Sequence, residues 1–269
     1  MNATASQPNL LMTMLSKVPE VTVFFWIVKV LATTVGETAA DYLNTTMKLG
    51  LTGTTLVMGS LLIVALIVQF RLRKYVPAVY WVTIVLISVV GTLITDNLVD
   101  NFKLSLQTCT IMFAIALAAT FAGWYSSEKT LSIHSIYTTK REAWYWLTVL
   151  FTFALGTASG DLVAETYGLG YWVSALIFAG IITVIALAQQ FTKLNAILAF
   201  WIIYILTRPL GASIGDFLSQ DKEAGGLALG TFITSMIFLA AISAVIVYLT
   251  TTRRDQIEIV DAVQTTAWT

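Results

Sequence analysis

Long apolar runs separated by short polar connections fill most of the chain. Eight of these runs are long enough to cross a hydrocarbon core of about 30 Å, which takes roughly 20 helical residues. They cover residues 19–42, 50–70, 76–98, 104–125, 143–164, 168–191, 195–218 and 226–250. The pattern predicts an all-α integral membrane protein with about eight transmembrane helices, forming a single membrane domain over residues 1–269.

Basic residues are distributed unevenly between the two sides that these spans define. One side carries ten of the fifteen lysines and arginines, and the other side carries three. Basic loops stay in the cytoplasm, so we expect residues 1–16 and 253–269 to be cytoplasmic tails. No basic residue precedes Lys17, and a cleavable signal peptide needs one at its start.

One motif occurs four times: a tryptophan, a glycine ten residues later and an aspartate five residues after the glycine. The four sets are Trp26, Gly36 and Asp41; Trp81, Gly91 and Asp96; Trp146, Gly156 and Asp161; and Trp201, Gly211 and Asp216. Each set lies in an odd-numbered span, which predicts four tandem helical hairpins with pseudo-symmetry. The predicted repeats are approximately 17–72, 73–127, 138–192 and 193–250. All copies run in the same direction, so they can surround a central axis or pack as two pairs.

The pattern Trp-x9-Gly-x4-Asp, with two spans in each copy, resembles a family of bacterial integral membrane proteins. That family is defined by four tandem two-helix repeats of unknown function, each with a characteristic tryptophan. The resemblance covers the chain from about Lys17 to Thr250. It implies eight spans in a bacterial cytoplasmic (inner) membrane, and it implies no activity.

Composition narrows the possible partners and chemistry. Hydrophobic residues make up 57% of the chain and charged residues 11%, with a mean hydropathy of +0.81, so a lipid bilayer is the expected surrounding. A net charge of zero argues against nucleic acid as a partner. Single copies of cysteine (Cys109) and histidine (His134) indicate neither a disulfide framework nor a usual zinc site, and no cofactor is indicated. No common catalytic motif occurs, so we do not expect an enzyme.

The repeat glycines and tryptophans have mainly structural interpretations. Four residues beyond each glycine stands another small residue, namely Ala40, Thr95, Gly160 or Gly215. Such pairs let helix backbones approach closely in lipid, and the alternative is a hinge whose freed carbonyl coordinates an ion. The tryptophans lie near the start of their spans, which is typical of an aromatic belt at the cytoplasmic interface. Their alternative role is cation–π or stacking contact with a substrate.

Helical periodicity divides the first span into two arcs. The arc with the repeat glycine also holds Lys29, Glu37 and Asp41. The opposite arc is apolar, so we expect it to meet lipid; it includes Phe25, Val28, Ala32 and Val35. In the seventh span the glycine-side arc likewise holds Trp201, Arg208 and Asp216.

Carboxylates are the main candidate functional groups. Four parallel copies around one axis would bring Asp41, Asp96, Asp161 and Asp216 to one level, with Glu37 one turn deeper. Carboxylate oxygens suit hard cations, and acidic rings select cations in channels. The alternative is that the aspartates are simply solvated or cap the next segment.

Two charges lie deep inside predicted spans. Lys29 and Arg208 share the arc of the carboxylates, and charges at such depth need a partner or an aqueous cavity. A buried salt bridge that locks the packing is the alternative interpretation.

We therefore predict a membrane transporter or channel for a cation, with a divalent metal such as Mn²⁺ as the first candidate, bound by Glu37 and the repeat aspartates. One alternative is a proton-coupled transporter of a small organic or anionic substrate recognised by Arg208 and Lys29. Another is a non-transporting scaffold or sensor. Homo-oligomer formation stays open.

Overall fold

The structure is a computed structural model that describes residues 16–192 and 194–255. Most of both predicted tails, and Lys193 in one basic connection, lie outside the described residues. Within the described part, eight helices are long and apolar enough to cross a membrane and no strand occurs. The predicted all-α fold with eight spans is confirmed and fits a multi-pass membrane protein.

The helices are numbered in chain order. They are α1 (Val23–Asp41), α2 (Gly50–Arg71), α3 (Pro77–Asp96), α4 (Leu106–Glu128), α5 (Thr139–Asp161), α6 (Tyr171–Phe191), α7 (Ala196–Ser219) and α8 (Thr231–Thr252). Directly after the repeat aspartate, α1, α3 and α5 each continue into a five-residue π-helical turn, at Tyr42–Thr46, Asn97–Asn101 and Leu162–Thr166. These turns extend the three spans beyond their predicted ends.

Local signals fix where the odd-numbered helices begin. The side chains of Thr22, Thr138 and Asn195 accept hydrogen bonds from backbone N–H groups in the first turns of α1, α5 and α7. Those N–H groups have no carbonyl partner within the helix, so the caps satisfy them. Helix α3 begins at Pro77 instead, where a missing N–H costs nothing. The local sequence therefore determines where each odd-numbered helix begins.

Helices α1, α3, α5 and α7 form an inner ring, and the repeat glycines lie at its contacts. A Cβ atom at Gly91 would lie 2.8 Å from the Cβ atom of Phe153 on the next inner helix. The other three glycines likewise face the next helix. Gly36 faces Ser88, Gly156 faces Arg208, and Gly211 faces Thr33. Each partner stands three positions before the next repeat glycine, so one contact occurs four times and closes the ring. This geometry agrees with the close-packing interpretation of the glycines.

The even-numbered helices surround this ring. Helix α2 packs on α3, α4 on α5, α6 on α7, and α8 on α1. The second helix of each hairpin therefore covers the first helix of the next one. Only 17–22% of each outer helix's most apolar stretch is buried, against 56–67% for the inner helices. Exposed apolar side chains of the outer helices, such as Leu56 and Val184, present a surface that suits lipid.

The expectation that the apolar arc of α1 meets lipid is wrong. Phe25, Val28, Ala32 and Val35 are all buried, because α3 and α7 flank α1 and α8 covers it. The Phe25 ring packs against that of Trp81 on α3, with ring centroids 5.6 Å apart.

The aromatic-belt interpretation is also wrong for three of the four repeat tryptophans. Trp81, Trp146 and Trp201 are buried and pack between helices, whereas Trp26 is half-buried. Tyr80, Tyr145 and Tyr204 join them in one aromatic layer. The core of the protein is therefore aromatic at the end of the ring where the inner helices begin.

Candidate cation site

A cavity of about 390 Å³ opens at the other end of the inner ring, where the repeat aspartates lie. Seven of the fifteen acidic residues of the chain line it, and no lysine or arginine does. They are Glu37, Asp41, Asp96, Asp100, Asp161, Glu165 and Asp216. The structure thus brings all five sequence-predicted carboxylates into one space, together with Asp100 and Glu165 from the π-helical turns.

Helix ends position the aspartates. Asp41, Asp96 and Asp161 are the last residues of α1, α3 and α5, and Asp216 lies one turn before the end of α7. Because the glycine contacts place the four parallel helices in equivalent positions, residues five positions beyond them reach the same level. Asp216 is buried and the other three are half-buried. Carboxylates from four different repeats therefore line the same cavity.

An ion pair between α1 and α7 lies beneath the cavity, and its carboxylate, Glu37, lines the cavity. The fully buried Arg208 donates from Nη2 to Glu37 Oε2 at 2.7 Å. The same nitrogen donates to Thr157 Oγ1 at 2.8 Å and also contacts Thr92 Oγ1. Glu37, Thr92 and Thr157 each follow their repeat glycine directly, while the fourth such residue is Ala212, too small to compete for that space. One guanidinium thus binds three inner helices from the fourth.

Lys29 lies two turns further from the cavity and is fully buried. Its Nζ atom lies 4.1 Å from the ring centroids of both Phe153 and Tyr204, and it donates to Thr207 Oγ1 at 3.3 Å. Among the described residues no carboxylate lies within 4.0 Å of it. Two aromatic faces and one hydroxyl therefore hold this ammonium group.

The carboxylates surround a space rather than form a compact ligand set. Across residues 16–192 and 194–255, no group of three histidine, cysteine, aspartate or glutamate side chains is placed to hold one metal ion. Direct coordination of a dehydrated ion such as Ca²⁺ takes six to eight oxygens. A cation in this cavity would therefore retain water between itself and most of the carboxylates.

Comparison with known proteins agrees with the repeat architecture. A family model described as Repeat of Unknown Function (DUF347) matches residues 24–75, 79–130, 144–195 and 199–255. The chain belongs to the DUF347 repeat family. No curated protein matches the chain, and no solved structure does. The family description names no activity. DUF347 membership therefore supports the four two-helix repeats, and the function has to be inferred from the residues of the site.

The sequence pattern did not predict the roles of several site residues of this DUF347 chain. Thr92 and Thr157 were not predicted to bind Arg208, although their position directly after the repeat glycine matches that of Glu37. Phe153 was also missed as a ring beside Lys29; it stands three residues before its glycine, as Arg208 does. Aligning the four DUF347 repeats by their glycines would have identified these positions.

Proposed function

We propose that this protein is a membrane transporter that binds a cation in the carboxylate cavity. The supporting observation is that seven carboxylates, from the first three hairpins and α7 of the fourth, line one cavity without a basic residue among them. A cleft lined by one sign of charge concentrates counter-ions, and acidic rings select cations.

A divalent cation such as Mn²⁺, held through water, is the substrate class that we propose. Mg²⁺-like ions keep several waters and bind through one or two carboxylates, which requires no compact three-carboxylate set. The cavity volume of about 390 Å³ far exceeds the roughly 10–15 Å³ that one water needs on the same measure, so an ion can enter with water around it.

A carrier fits the site better than an open channel. Beneath the cavity, Arg208 fills the axis and binds Glu37, Thr92 and Thr157. An ion entering from the aspartate end would stop at this floor until the ion pair separates. The basic connections favour placing the opposite end in the cytoplasm, so we propose that the cavity faces outward from a bacterial cytoplasmic membrane.

The anionic-substrate alternative has weaker support. The Nη atoms of Arg208 donate to protein oxygens and Lys29 lies between two rings, so neither side chain faces the cavity. An anion would also have to pass the carboxylates. The scaffold alternative shares the Glu37–Arg208 pair with our proposal and differs in predicting no response to any cation.

Thermal stability in detergent tests the proposal. Mn²⁺, Mg²⁺, Ca²⁺ and choline are titrated against the wild type, Asp96→Asn, Asp161→Asn and the control Asp221→Asn, whose carboxylate lies in the exposed α7–α8 connection. We expect a divalent ion at 100 times its Kd to stabilise the wild type and the control by about 2.7 kcal/mol. The two cavity variants should lose that gain. A flat response to every cation would refute the cation site.

A further inference from the structure

The buried layer beneath the cavity contains more positive than negative groups. Lys29 and Arg208 are both fully buried. Glu37 is the one carboxylate in the described residues that forms an ion pair with either of them. If both bases carry a proton, one positive charge in this layer has no anionic partner in contact, and an uncompensated buried charge is costly.

Lys29 and Arg208 differ in whether they can lose a proton and so remove the excess positive charge. A guanidinium holds its proton throughout the accessible pH range, whereas a buried lysine amine readily exchanges one. The surroundings of Lys29 accept both forms. The rings of Phe153 and Tyr204 attract the ammonium ion, while either form can donate a hydrogen bond to Thr207, whose own hydroxyl donates to the Tyr204 carbonyl.

A set of tyrosine hydroxyls continues from Lys29 towards the end of the ring opposite the cavity. Tyr204 packs against Lys29, and its buried hydroxyl has no hydrogen-bond partner among the described residues. The hydroxyls of Tyr80 and Tyr145 bond each other, and Tyr75 packs on Tyr80 and donates to Asp255 at 2.6 Å. The two hydrogen-bonded pairs, Tyr80 with Tyr145 and Tyr75 with Asp255, are separate. Because hydroxyls both donate and accept, a proton can pass between them when water or a side-chain movement connects them.

Other charged groups near Lys29 are few. On α7 they are Arg208 and Tyr204, on α5 Tyr145, on α3 Tyr80, and on its own helix Glu37. Helix α8, which also covers α1, contributes only Tyr248, whose ring packs on Phe24. Apart from Arg208 and its partner Glu37, the groups facing Lys29 are therefore neutral phenols.

We propose that Lys29 is the proton-exchanging residue that couples cation transport to proton movement. This inference rests on the proposed cation site. When a cation occupies the cavity, its field adds to the excess positive charge of the layer below. An N–H bond of the Lys29 ammonium then breaks, the electron pair stays on Nζ, and the proton passes by way of the tyrosine hydroxyls to water. Release of the cation lets the amine take a proton back.

Proteoliposomes with an enclosed pH-sensitive dye test the coupling. A Mn²⁺ gradient is applied to the wild type, Lys29→Met and the control Lys222→Met, which changes an exposed lysine outside the layer. We expect a proton flux that depends on the cation flux in the wild type and the control. Lys29→Met should retain the thermal shift with Mn²⁺, and its proton flux should be at least tenfold lower than that of the wild type.

A second variant separates coupling from folding. Lys29→Arg keeps a positive charge but holds its proton, so it should be uncoupled even if Lys29→Met does not fold. Cation flux without proton flux in the wild type, or coupled flux in either Lys29 variant, would overturn this inference and leave the cation site intact. Absence of both cation flux and thermal shift in the wild type would overturn the proposed function together with it.

Discussion

Separating the Glu37–Arg208 pair should be the most destabilising change to the inner ring. Four oxygens lie within hydrogen-bond distance of the two Arg208 Nη atoms, and they belong to Glu37, Thr92, Thr157 and the carbonyl of Thr33. The Glu37→Gln variant keeps an acceptor at nearly the same place but removes its charge. The Arg208→Met variant removes every donor and leaves a carboxylate that is only 6% exposed.

The expected magnitude follows from this burial. Breaking a buried ion pair by removing one partner costs about 3–5 kcal/mol, because the remaining charge is uncompensated. We expect Glu37→Gln near the lower limit and Arg208→Met near the upper one. The double variant leaves neither charge, so its loss should fall short of the sum by about 0.5–3 kcal/mol. With the slope of about 2–4 °C per kcal/mol for chains of this size class, the single variants should lower Tm by about 6–20 °C.

Unfolding in mixed detergent micelles, followed by fluorescence of the eight tryptophans, measures these differences. A matched control is Lys140→Met, which removes a pair with Glu128 whose lysine side chain is 66% exposed. Exposed pairs contribute little, so this variant should unfold like the wild type. Single cavity-floor variants within about 1 kcal/mol of the wild type, or losses that simply add in the double variant, would refute the reasoning.

Two further predictions concern the ring contacts and the opposite end of the bundle. Gly211→Ala should lower the free energy of unfolding by about 1–3 kcal/mol, because the added Cβ would overlap Thr33. The control Gly180→Ala has no atom near its added Cβ, so its stability should be unchanged or slightly raised. Equal losses of Tm in the two variants would contradict this prediction. The Glu20 carboxylate, with Oε1 3.5 Å from His134 Nδ1, accepts a hydrogen bond from this ring and raises the pKa of His134, the single histidine. The protonated ring thus stabilises the fold below about pH 6.5, and this contribution is lost as pH rises through the raised pKa. NMR titration should show that pKa falling in Glu20→Gln, and an unchanged value would exclude the pair.

Sequence periodicity located the helices and the repeat residues but not the surfaces they face. In a membrane, lipid tails and buried leucine or valine side chains are equally apolar. The hydrophobic arc of α1 therefore has the same sequence pattern whether lipid or α8 covers it. For this reason Phe25 and Val28 were predicted to face lipid, although they are buried between helices. The position of Trp81 was ambiguous for the same reason, since an interfacial belt and a packed aromatic layer both place a tryptophan at this depth.

The threonines that contact Arg208 in the core could not be predicted for a different reason. Threonine in a membrane helix commonly bonds its own backbone, as Thr92 and Thr157 do here as well. Their second contact, with Arg208, depends on which helices are neighbours in the ring. The repeat spacing allowed two arrangements, a ring or two pairs, and only the glycine contacts decide between them.

Closure of the ring also explains where the asymmetry of the site lies. Lys29 and Glu37 come from the first repeat and Arg208 from the fourth, at opposite ends of the chain. They meet because Gly211 packs against Thr33 and brings α7 beside α1. Four identical repeats would place like charges together at every level, and deep between the helices such a layer would be costly without an opposite charge. Because the opposite charges are concentrated at this last contact, the symmetric aspartates line the cavity without a basic residue among them, as the proposed cation site requires.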